Sequence, residues 1–480
     1  MNKAKLLILI LVVFLLGDLT YSFFEYYYTP IDGDLVSGVT QNPYIQQVLD
    51  DPFGFHLLTT GERHINPNRF FSHFFQKEYM QKVPIWLQNL TDPITSVYLS
   101  CALIKIFIHI LLIFILATLI SGTKNLWDKK FMIAAALIIP FIQANGYWGH
   151  MGINDRATTY TIFYALPVVL LMLYLLPVYQ TVYFQKTAKP GFFKSALLLI
   201  PSIVLPLSGP LVPGTVLIII CLIGIHYLRK FQHEENSNLI SSLRKIPSQI
   251  FIFLVPICLV SLYSLFLGRF DSNYTVETIP IADRYLKLPL GIYYQISQSL
   301  GVPLLLILIG VNVYLIKKYF NSPEGQKIIG SLKWIGLFTA IYLILLPLGG
   351  YRPYRPNILR YDTFIPITIS LLYFYGISTY FLVGNLKSRS LNGYLIGLFI
   401  LFAIYMNSDR IKTKEYRFER KCLEILAKSP DEVTKLPATF NVMSWKPLTD
   451  PKLSESNAIM LKFWGITKDK KLYYQTSEQN

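Results

Sequence analysis

Residues 349–362 carry the densest chemistry of this sequence, reading Gly-Gly-Tyr-Arg-Pro-Tyr-Arg-Pro-Asn-Ile-Leu-Arg-Tyr-Asp between two apolar runs. Three arginines, Arg352, Arg355 and Arg360, precede Asp362 here. A guanidinium group stays charged near lipid, and its planar fork binds two phosphate oxygens at once. The prolines favour an extended or turn backbone. We therefore expect the segment to bind a phosphate or pyrophosphate. Contact with lipid headgroups or pairing with Asp362 is the alternative.

Two acidic segments could supply a proton acceptor. Pro30-Ile31-Asp32-Gly33-Asp34 puts two carboxylates at a turn, and Asp155 lies beside Arg156 after an aromatic stretch. A carboxylate within hydrogen-bond reach of a hydroxyl or amine can take its proton or orient it. Asp34 and Asp155 could instead hold a divalent cation, so the sequence leaves a metal cofactor open. The structural alternatives are turn chemistry for Asp32 and Asp34 and a surface element for Asp155 and Arg156.

Four further ionisable residues could contact a ligand. Lys105 and His109 lie four residues apart in an apolar run, so they share one face of a helix. Ionisable groups inside a membrane span are functional candidates. These two could contact a lipid phosphate or a proton path, or they could form hydrogen bonds between helices. Glu62 and His64 could line the entrance to a site, or they could be solvated loop residues.

The composition places these residues in a membrane protein. The 480 residues are 53% hydrophobic and 15% charged, whereas soluble domains have about 25% charged residues. Apolar runs near the length of a transmembrane helix recur from end to end. We predict an all-α polytopic membrane protein with about eleven spans, near residues 5–24, 96–120, 131–146, 159–178, 195–208, 211–228, 249–268, 291–316, 334–349, 362–383 and 391–406. The 131–146 run is short, and 195–228 could be a hairpin or re-entrant pair.

The net charge of +16 and the positions of the four cysteines argue against nucleic-acid binding and against cysteine-based sites. Much of the positive charge lies in short loops, which indicates topology and attraction to anionic lipid rather than nucleic-acid binding. Three cysteines fall in apolar spans and one in the tail, so we expect neither disulfide bonds nor cysteine metal sites. No small-residue cleavage site follows the apolar N-terminal run, so we predict an uncleaved first helix.

The charges of the loops predict the orientation of the spans. With a cytoplasmic N-terminus, five successive inner loops carry basic residues, as the positive-inside rule requires: Lys124, Lys129, Lys130, Lys186, Lys189, Lys194, Arg229, Lys230, Arg244, Lys245, Lys317, Lys318, Lys327, Lys333, Lys387 and Arg389. The alternate loops then face outward, together with the tail after residue 407. Their charged residues are Asp32, Asp34, Glu62, Arg63, His64, Asp155, Arg156, Asp271, Glu277, Asp283, Arg284 and those of 349–362. The candidate phosphate-binding and proton-accepting residues therefore share the extracytoplasmic face.

The first outer loop and the tail have patterns of their own. Within the loop, residues 25–95, the stretch from Arg69 to Lys82 gathers phenylalanines on one helical face and charged residues on others. This pattern predicts a helix that lies on the outer leaflet; a packed lid is the alternative. In the extracytoplasmic tail, residues 407–480, we expect a short amphipathic helix near 411–428 followed by a small irregular segment.

These features together resemble the GT-C superfamily of membrane glycosyltransferases, which includes the protein O-mannosyltransferases and the bacterial lipid A aminoarabinose transferases. Members have a cytoplasmic N-terminus and a large first outer loop with an acidic motif near its start, where Asp32-Gly33-Asp34 lies. A second acidic residue often lies in the next outer loop, as Asp155 does. A late outer segment often ends in Arg-Tyr before a proline, as Arg360-Tyr361 and Pro366 do. The acidic motif here is not an adjacent pair, and the Tyr-Arg-Pro repeats are not part of the pattern, which suggests an uncharacterised branch.

The resemblance implies an integral membrane glycosyltransferase. It would move a sugar from a polyprenyl-phosphate donor to a glycan, lipid or protein acceptor on the extracytoplasmic face. By this resemblance Asp34 is the first candidate for the base, Asp32 is the second, and Asp155 orients the acceptor. The candidate ligands of the donor phosphate are Arg360, Arg355, Arg352 and Tyr361. The short loops and the small tail favour a bacterial inner membrane.

Three other functions stay open at this point. A transporter or flippase of lipid-linked saccharides would show charges along several spans and internal repeats, whereas most spans here are free of charge and no repeat is evident. A polysaccharide polymerase or ligase would also have many spans and arginines in outer loops. A non-catalytic membrane assembly subunit is the third.

Overall fold

A computed structural model describes residues 3–40, 42–185, 192–235, 246–274 and 279–476. In this part of the chain the fold is helical apart from two short strands. The helices are α1 (Lys3–Tyr27), α2 (Pro43–Asp50), α3 (Phe55–Thr60), α4 (Phe70–Leu87), α5 (Pro93–Ser121), α6 (Lys129–Ile138), α7 (Trp148–Met151), α8 (Thr158–Phe184), α9 (Phe192–Val204), α10 (Leu211–Glu235), α11 (Ser248–Leu267), α12 (Ile281–Ser297), α13 (Gly301–Tyr319), α14 (Pro323–Leu345), α15 (Tyr361–Asn385), α16 (Ser388–Ser408), α17 (Lys414–Lys428) and α18 (Glu455–Phe463). The strands are β1 (Val433–Pro437) and β2 (Leu472–Thr476). Short 3₁₀ turns lie at Ile139–Phe141, Pro206–Ser208, Gly268–Phe270, Ser272–Tyr274, Leu346–Gly349 and Pro451–Ser454.

Nine helices in the described ranges are long and apolar enough to cross a membrane. They extend over Lys5–Tyr27, Pro93–Ser121, Thr158–Phe184, Leu211–Lys230, Ile250–Phe270, Gly301–Tyr319, Pro323–Gly349, Tyr361–Asn385 and Ser388–Ser408. The prediction of a helical, multi-pass integral membrane protein is confirmed. The expected 291–316 span is instead divided between α12 and α13, which are separate helices.

The loops that carry the candidate residues meet at one end of the bundle. Arg156 pairs with Glu415, and Arg352 pairs with Asp271, in each case with a nitrogen–oxygen distance of 2.8 Å. We call this end the loop end; it is formed by residues 28–40, 42–92, 142–157, 268–274, 350–360 and 409–476. Which side of the membrane the loop end faces stays a prediction. Of the loop residues named above, Lys186, Lys189, Arg244, Lys245, Glu277 and the side chain of Lys194 lie outside the described part of the chain.

Two of the expected spans form shorter helices. The 131–146 run contains α6, with 10 residues, and the 195–208 run contains α9, with 13 residues; a bilayer span needs roughly 20. Both runs nevertheless reach the loop end. The Asn145 amide, beyond α6, donates to Asp409 at 2.7 Å, and the Ser208 carbonyl, beyond α9, accepts a hydrogen bond from Ser72 at 2.7 Å. The expected number of eleven spans therefore stays a prediction.

The core of the bundle lies around α5, α8 and α15, whose side chains are mostly buried, whereas α1 and α16 lie outside them. Hydrogen bonds between polar side chains connect α13, α15 and α16 within the bundle. The amide nitrogen of Asn312 on α13 donates to Ser378 and Thr379 on α15 at 2.9 Å each, and Tyr394 on α16 donates to the amide oxygen at 2.7 Å. Such bonds hold helices together where lipid removes the hydrophobic driving force. They anchor the helix that begins at Tyr361.

The first loop contains the predicted helix, here α4. Its polar side chains Ser72, His73 and Gln76 face the protein and are buried, whereas Phe74 and Phe75 are exposed. Burial, with a smaller contribution from a nearby arginine, lowers the pKa of His73 to about 3, so this imidazole is neutral. Phe74 and Phe75 therefore point away from the bundle, as a helix on a bilayer surface would place them, whereas Phe71 and Tyr79 pack against buried cores.

The tail is more regular than expected. The predicted helix is present as α17, but the rest is ordered by α18 and by β1 and β2, which pair in parallel from Val433↔Leu472 to Pro437↔Thr476. The tail shares one hydrophobic core with the first loop. The indole of Trp464 donates to the Met80 carbonyl at 2.9 Å. The expectation of an irregular segment was wrong, because burial against the loop orders this proline-rich stretch.

Candidate functional site

A cavity of about 720 Å³ lies at the loop end between α4, α8, α10, α11, α14 and the 350–358 segment. Its wall inside the bundle is apolar and includes Leu211, Leu217, Ile218, Ile341 and Leu345. Near the loops it is lined by five arginines and one carboxylate, namely Arg69, Arg269, Arg284, Arg352, Arg355 and Asp271. We call it the arginine cavity. A cationic end joined to an apolar wall suits an anion that carries a hydrocarbon chain.

Ion pairs hold the arginines of the 349–362 segment. Besides the Arg352–Asp271 pair, Arg355 donates to the Asp362 carboxylate at 2.8 Å, and Arg360 donates to the same oxygen. Asp362 is 1% exposed and accepts a hydrogen bond from the first turn of α15, where the helix dipole favours a negative charge. Burial by itself lowers the pKa of Arg355, but Asp362 raises it overall. The alternative in which arginines pair with Asp362 is thus confirmed for two of them.

Two arginines of the cavity, Arg69 and Arg284, have no carboxylate partner in the described part of the chain. Arg69 is 7% exposed; among the described residues its guanidinium donates only to the Tyr164 hydroxyl, at 3.4 Å, and its Nε is buried without a partner there. Arg355 donates to the same hydroxyl at 2.7 Å, and its Nε too has no hydrogen-bond partner in the described part of the chain. Within the same described ranges, the Arg284 guanidinium donates only to the carbonyls of Ile279 and Pro347. A buried cation without a counter-charge is costly, so the cavity favours an anionic ligand.

The backbone near this cavity is strained at one position. Ile358, which lines the cavity, has a φ of 67°. A β-branched residue rarely adopts this left-handed conformation, which persists only where surrounding contacts enforce it. One such contact comes from α12, where a Cβ on Gly291 would lie 2.4 Å from the Asn357 carbonyl oxygen. Close packing against α12 therefore fixes the arginine segment.

The Asp32 carboxylate holds the acidic turn in place through hydrogen bonds. Its carboxylate accepts hydrogen bonds from the Thr159 amide at 3.1 Å, from the Thr159 hydroxyl at 2.8 Å and from the Asp34 amide at 3.2 Å. Burial raises its pKa, and the two bonds from Thr159 partly offset that effect. Because its oxygens are already occupied, Asp32 fixes the turn to α8 and is poorly placed to act as a base.

Asp34 differs from Asp32 in being partly exposed. Within the described ranges no hydrogen bond to its carboxylate is present, and it interacts electrostatically with Tyr160 of α8. The Arg360 guanidinium lies 4.9 Å from the centre of the same ring. A π-helical turn, Thr161–Ala165, follows Tyr160. The ring centres of Tyr160 and Tyr164 lie 5.9 Å apart, and Tyr164 lines the arginine cavity. Asp34 is thus an available carboxylate separated from the cavity by two tyrosines.

Asp155 and Lys105 belong to a buried charge cluster with Asp32. Burial raises the pKa of Asp155 to about 6, while the Ala157 amide, the adjacent Tyr361 hydroxyl and Lys105 partly offset the rise. Lys105 donates to the Arg156 carbonyl and also lowers the pKa of Asp32. The expected alternative, an element of Asp155 with Arg156, does not form, because Arg156 pairs with Glu415. Lys105 therefore balances two carboxylates and does not line the arginine cavity.

The remaining candidates do not line the cavity. His109 makes a hydrogen bond of 3.2 Å with the Tyr26 hydroxyl of α1, which is the interhelical alternative. Glu62 is exposed and lies 3.7 Å from the Nε2 of His56. His64 is buried and pairs through its backbone with the Asp271 segment. Arg360 and Tyr361 also lie outside the cavity lining, although Arg360 shares Asp362 with Arg355.

Sequence reasoning missed Arg69, Arg269 and Arg284 as lining residues. A signal was present, since all three are basic residues in predicted outer loops or next to them, where the positive-inside rule does not explain them. It also missed Asp271 as the partner of Arg352.

Among the described residues no group of three or more histidine, cysteine or acidic side chains could hold a metal ion. Comparison with known proteins finds no matching family model and no matching curated protein.

Proposed function

We propose that the protein is an integral membrane glycosyltransferase that moves a sugar from a polyprenyl-phosphate donor to an acceptor on the extracytoplasmic face. One observation carries the proposal. An arginine-lined cavity with an apolar wall lies two tyrosine rings away from a partly exposed carboxylate, Asp34. The apolar wall suits a prenyl chain, the arginines suit its phosphate, and the carboxylate suits an acceptor hydroxyl or amine.

The donor phosphate is assigned to the arginine cavity. Arg69 and Arg284 have no carboxylate partner in the described part of the chain, so their charges are available to phosphate oxygens. Arg352 and Arg355 are held in place by Asp271 and Asp362. When the bond between the sugar carbon and the phosphate oxygen breaks, the electron pair stays on the phosphate. Fixed guanidinium groups stabilise that developing charge without reorganising.

Asp34 is assigned as the base. The acceptor's O–H or N–H bond breaks as its heavy atom bonds to the sugar carbon, and the proton passes to the Asp34 carboxylate. Asp32 positions the turn that carries Asp34. Asp155 and Tyr361, next to one another beneath the turn, are assigned to orient the acceptor. The loop end faces the extracytoplasmic side of a bacterial inner membrane in this proposal, and the exposed phenylalanines of α4 lie on its outer leaflet.

The proposal is tested by incubating the detergent-solubilised protein with a purified lipid-linked donor pool, with water as the acceptor, and measuring the sugar that is released. Asp34→Asn keeps the shape of the side chain and removes the base, so the rate should fall by about 10²–10⁴-fold. Asp431→Asn, at an exposed position of the tail, is the matched control and should release sugar at the wild-type rate. Wild-type rates in both variants would exclude Asp34 as the base. Absence of release by the wild-type protein from every donor would overturn the proposed function.

One observation favours a transporter of lipid-linked saccharides as the second candidate. A second cavity of about 580 Å³ lies between α8, α10, α14 and α15, and is lined by apolar residues together with His226 and Lys327. It borders another face of α10 than the arginine cavity does, so two lipid-sized cavities flank one helix. Translocation of a fluorescent lipid-linked sugar across vesicles without sugar release would favour the transporter.

A further inference from the structure

We infer that Trp445 of the tail, together with Tyr160 and Tyr354, forms a saccharide-binding platform beside Asp34. This inference rests on the proposed function, since it assigns the chemical class of the acceptor, a sugar. The platform adjoins the donor-binding residues, since Arg352 donates to the Tyr354 hydroxyl at 2.9 Å and the Arg355 guanidinium lies 5.3 Å from the centre of the Tyr354 ring.

The tail packs directly onto the acidic turn at this place. A Cβ on Gly33 would lie 2.7 Å from the backbone nitrogen of Trp445 and 2.9 Å from the Ser444 carbonyl carbon. Gly33 therefore has no room for a side chain, and the Asp32-Gly33-Asp34 turn fits against residues 444–445. The backbone contact fixes the position of Trp445 relative to Asp34.

The indole of Trp445 is nevertheless 53% exposed. It stacks against Tyr160 with ring centres 5.7 Å apart and an angle of 17° between the planes. Trp464, the other tryptophan of the tail, is fully buried and supports its core. A large, fixed and exposed ring beside a candidate active site offers a flat apolar face to a ligand.

Charged and aromatic groups surround the two stacked rings. The Arg360 guanidinium lies 4.9 Å from the centre of the Tyr160 ring and 5.2 Å from that of Tyr354, which is 52% exposed. Asp34 interacts with Tyr160 from the acidic turn. Aromatic faces pack against the C–H bonds of a pyranose ring, and carboxylate and guanidinium groups bind its hydroxyls. This combination suits a sugar better than it suits a purely apolar ligand.

The inference is tested by titrating neutral disaccharides (maltose, lactose and cellobiose) into the solubilised full-length protein and observing them by saturation-transfer NMR. Trp445→Ala should weaken the binding of at least one disaccharide by about tenfold. Trp445→Phe keeps a ring and should stay within about threefold of the wild-type value. Trp127→Ala removes an exposed tryptophan far from the loop end, and should bind as the wild-type protein does. Thermal unfolding identifies any variant that fails to fold.

Three results would overturn the inference. One is the absence of disaccharide binding by the wild-type protein. Another is equal binding by Trp445→Ala and Trp127→Ala. The third is quenching of Trp445 fluorescence, taken as the difference between wild-type and Trp445→Phe protein, by spin-labelled lipid in nanodiscs, because Trp445 would then be a membrane anchor. Disaccharide binding needs no donor, so it can succeed even where sugar release fails. With an active donor, Trp445→Ala should raise the KM for the acceptor more than Trp445→Phe does.

Discussion

The buried cluster of Asp32, Lys105 and Asp155 and the arginine cavity lie at the same end of the bundle but differ in charge balance. In the cluster, Asp32 accepts three hydrogen bonds, and Lys105 lies between two carboxylates whose charged forms it favours. In the cavity, five arginines face one lining carboxylate. In the cluster, neighbouring groups partly offset the burial of each charge, whereas charges left in excess in the cavity mark the place where a ligand supplies the balance.

The strongest test of this comparison removes a carboxylate that balances two arginines. Asp362→Asn would leave Arg355 and Arg360 close together without their counter-charge. Removing one partner of a buried ion pair costs about 3–5 kcal/mol, so the free energy of unfolding should fall by about that much. Thermal unfolding in detergent measures the effect. Glu455→Gln removes an exposed partner of Lys470 and should cost less than about 1 kcal/mol. Equal losses would refute the assignment of Asp362.

A second test uses the pH dependence that the buried cluster confers. The pKa of Asp155 is raised from 3.8 to about 6, so the folded state holds this proton more tightly than the unfolded chain does. Its contribution to stability is full below pH 4 and is lost as the pH rises through about 6. Asp155→Asn should remove that decline. Above pH 6 its free energy of unfolding should exceed that of the wild-type protein by up to about 3 kcal/mol. The measurement is the unfolding midpoint of both proteins across this pH range. Parallel curves of midpoint against pH would contradict the raised pKa of Asp155.

A third test addresses the unbalanced charge of the cavity. Arg69→Gln removes a buried arginine without a carboxylate partner in the described ranges, so the free energy of unfolding should stay the same or rise. The affinity for farnesyl phosphate, a soluble prenyl phosphate, should fall by about 10–100-fold, as loss of a charged hydrogen bond predicts. Calorimetric titration in detergent measures both proteins. Arg410→Gln, at an exposed arginine of the tail, should bind like the wild-type protein, and equal loss in both variants would indicate a nonspecific charge effect.

Much of the fold follows from local patterns in the sequence. Apolar runs predicted the membrane spans, and the phenylalanine periodicity predicted α4, because both report on structure formed by neighbours along the chain. The alternation of loop charges grouped Asp34, Asp155 and the 349–362 segment. These loops do meet at one end, where Thr159 donates to Asp32, Arg360 lies over Tyr160, and Asp155 contacts the Tyr361 hydroxyl. The regular tail was missed because its two five-residue strands pair across more than thirty intervening residues.

The candidate site was less predictable for the same reason. Arg69 and Arg355 donate to one tyrosine hydroxyl although they are far apart in sequence, and no local pattern reports such a meeting. Asp32 and Asp34 could not be ranked by sequence, because their difference lies in the bonds that Thr159 donates to Asp32 alone. Lys105 and His109 were recognised as unusual, but only the fold shows that they contact protein groups.

The central claim, that the arginine cavity holds a lipid-linked phosphate, is tested most directly by mass spectrometry of the lipids that co-purify with the protein. The wild-type protein and Arg410→Gln should carry a polyprenyl phosphate or its sugar conjugate, and Arg69→Gln should be depleted of it by about tenfold or more. Bulk phospholipids alone, in equal amounts in all three proteins, would contradict the claim.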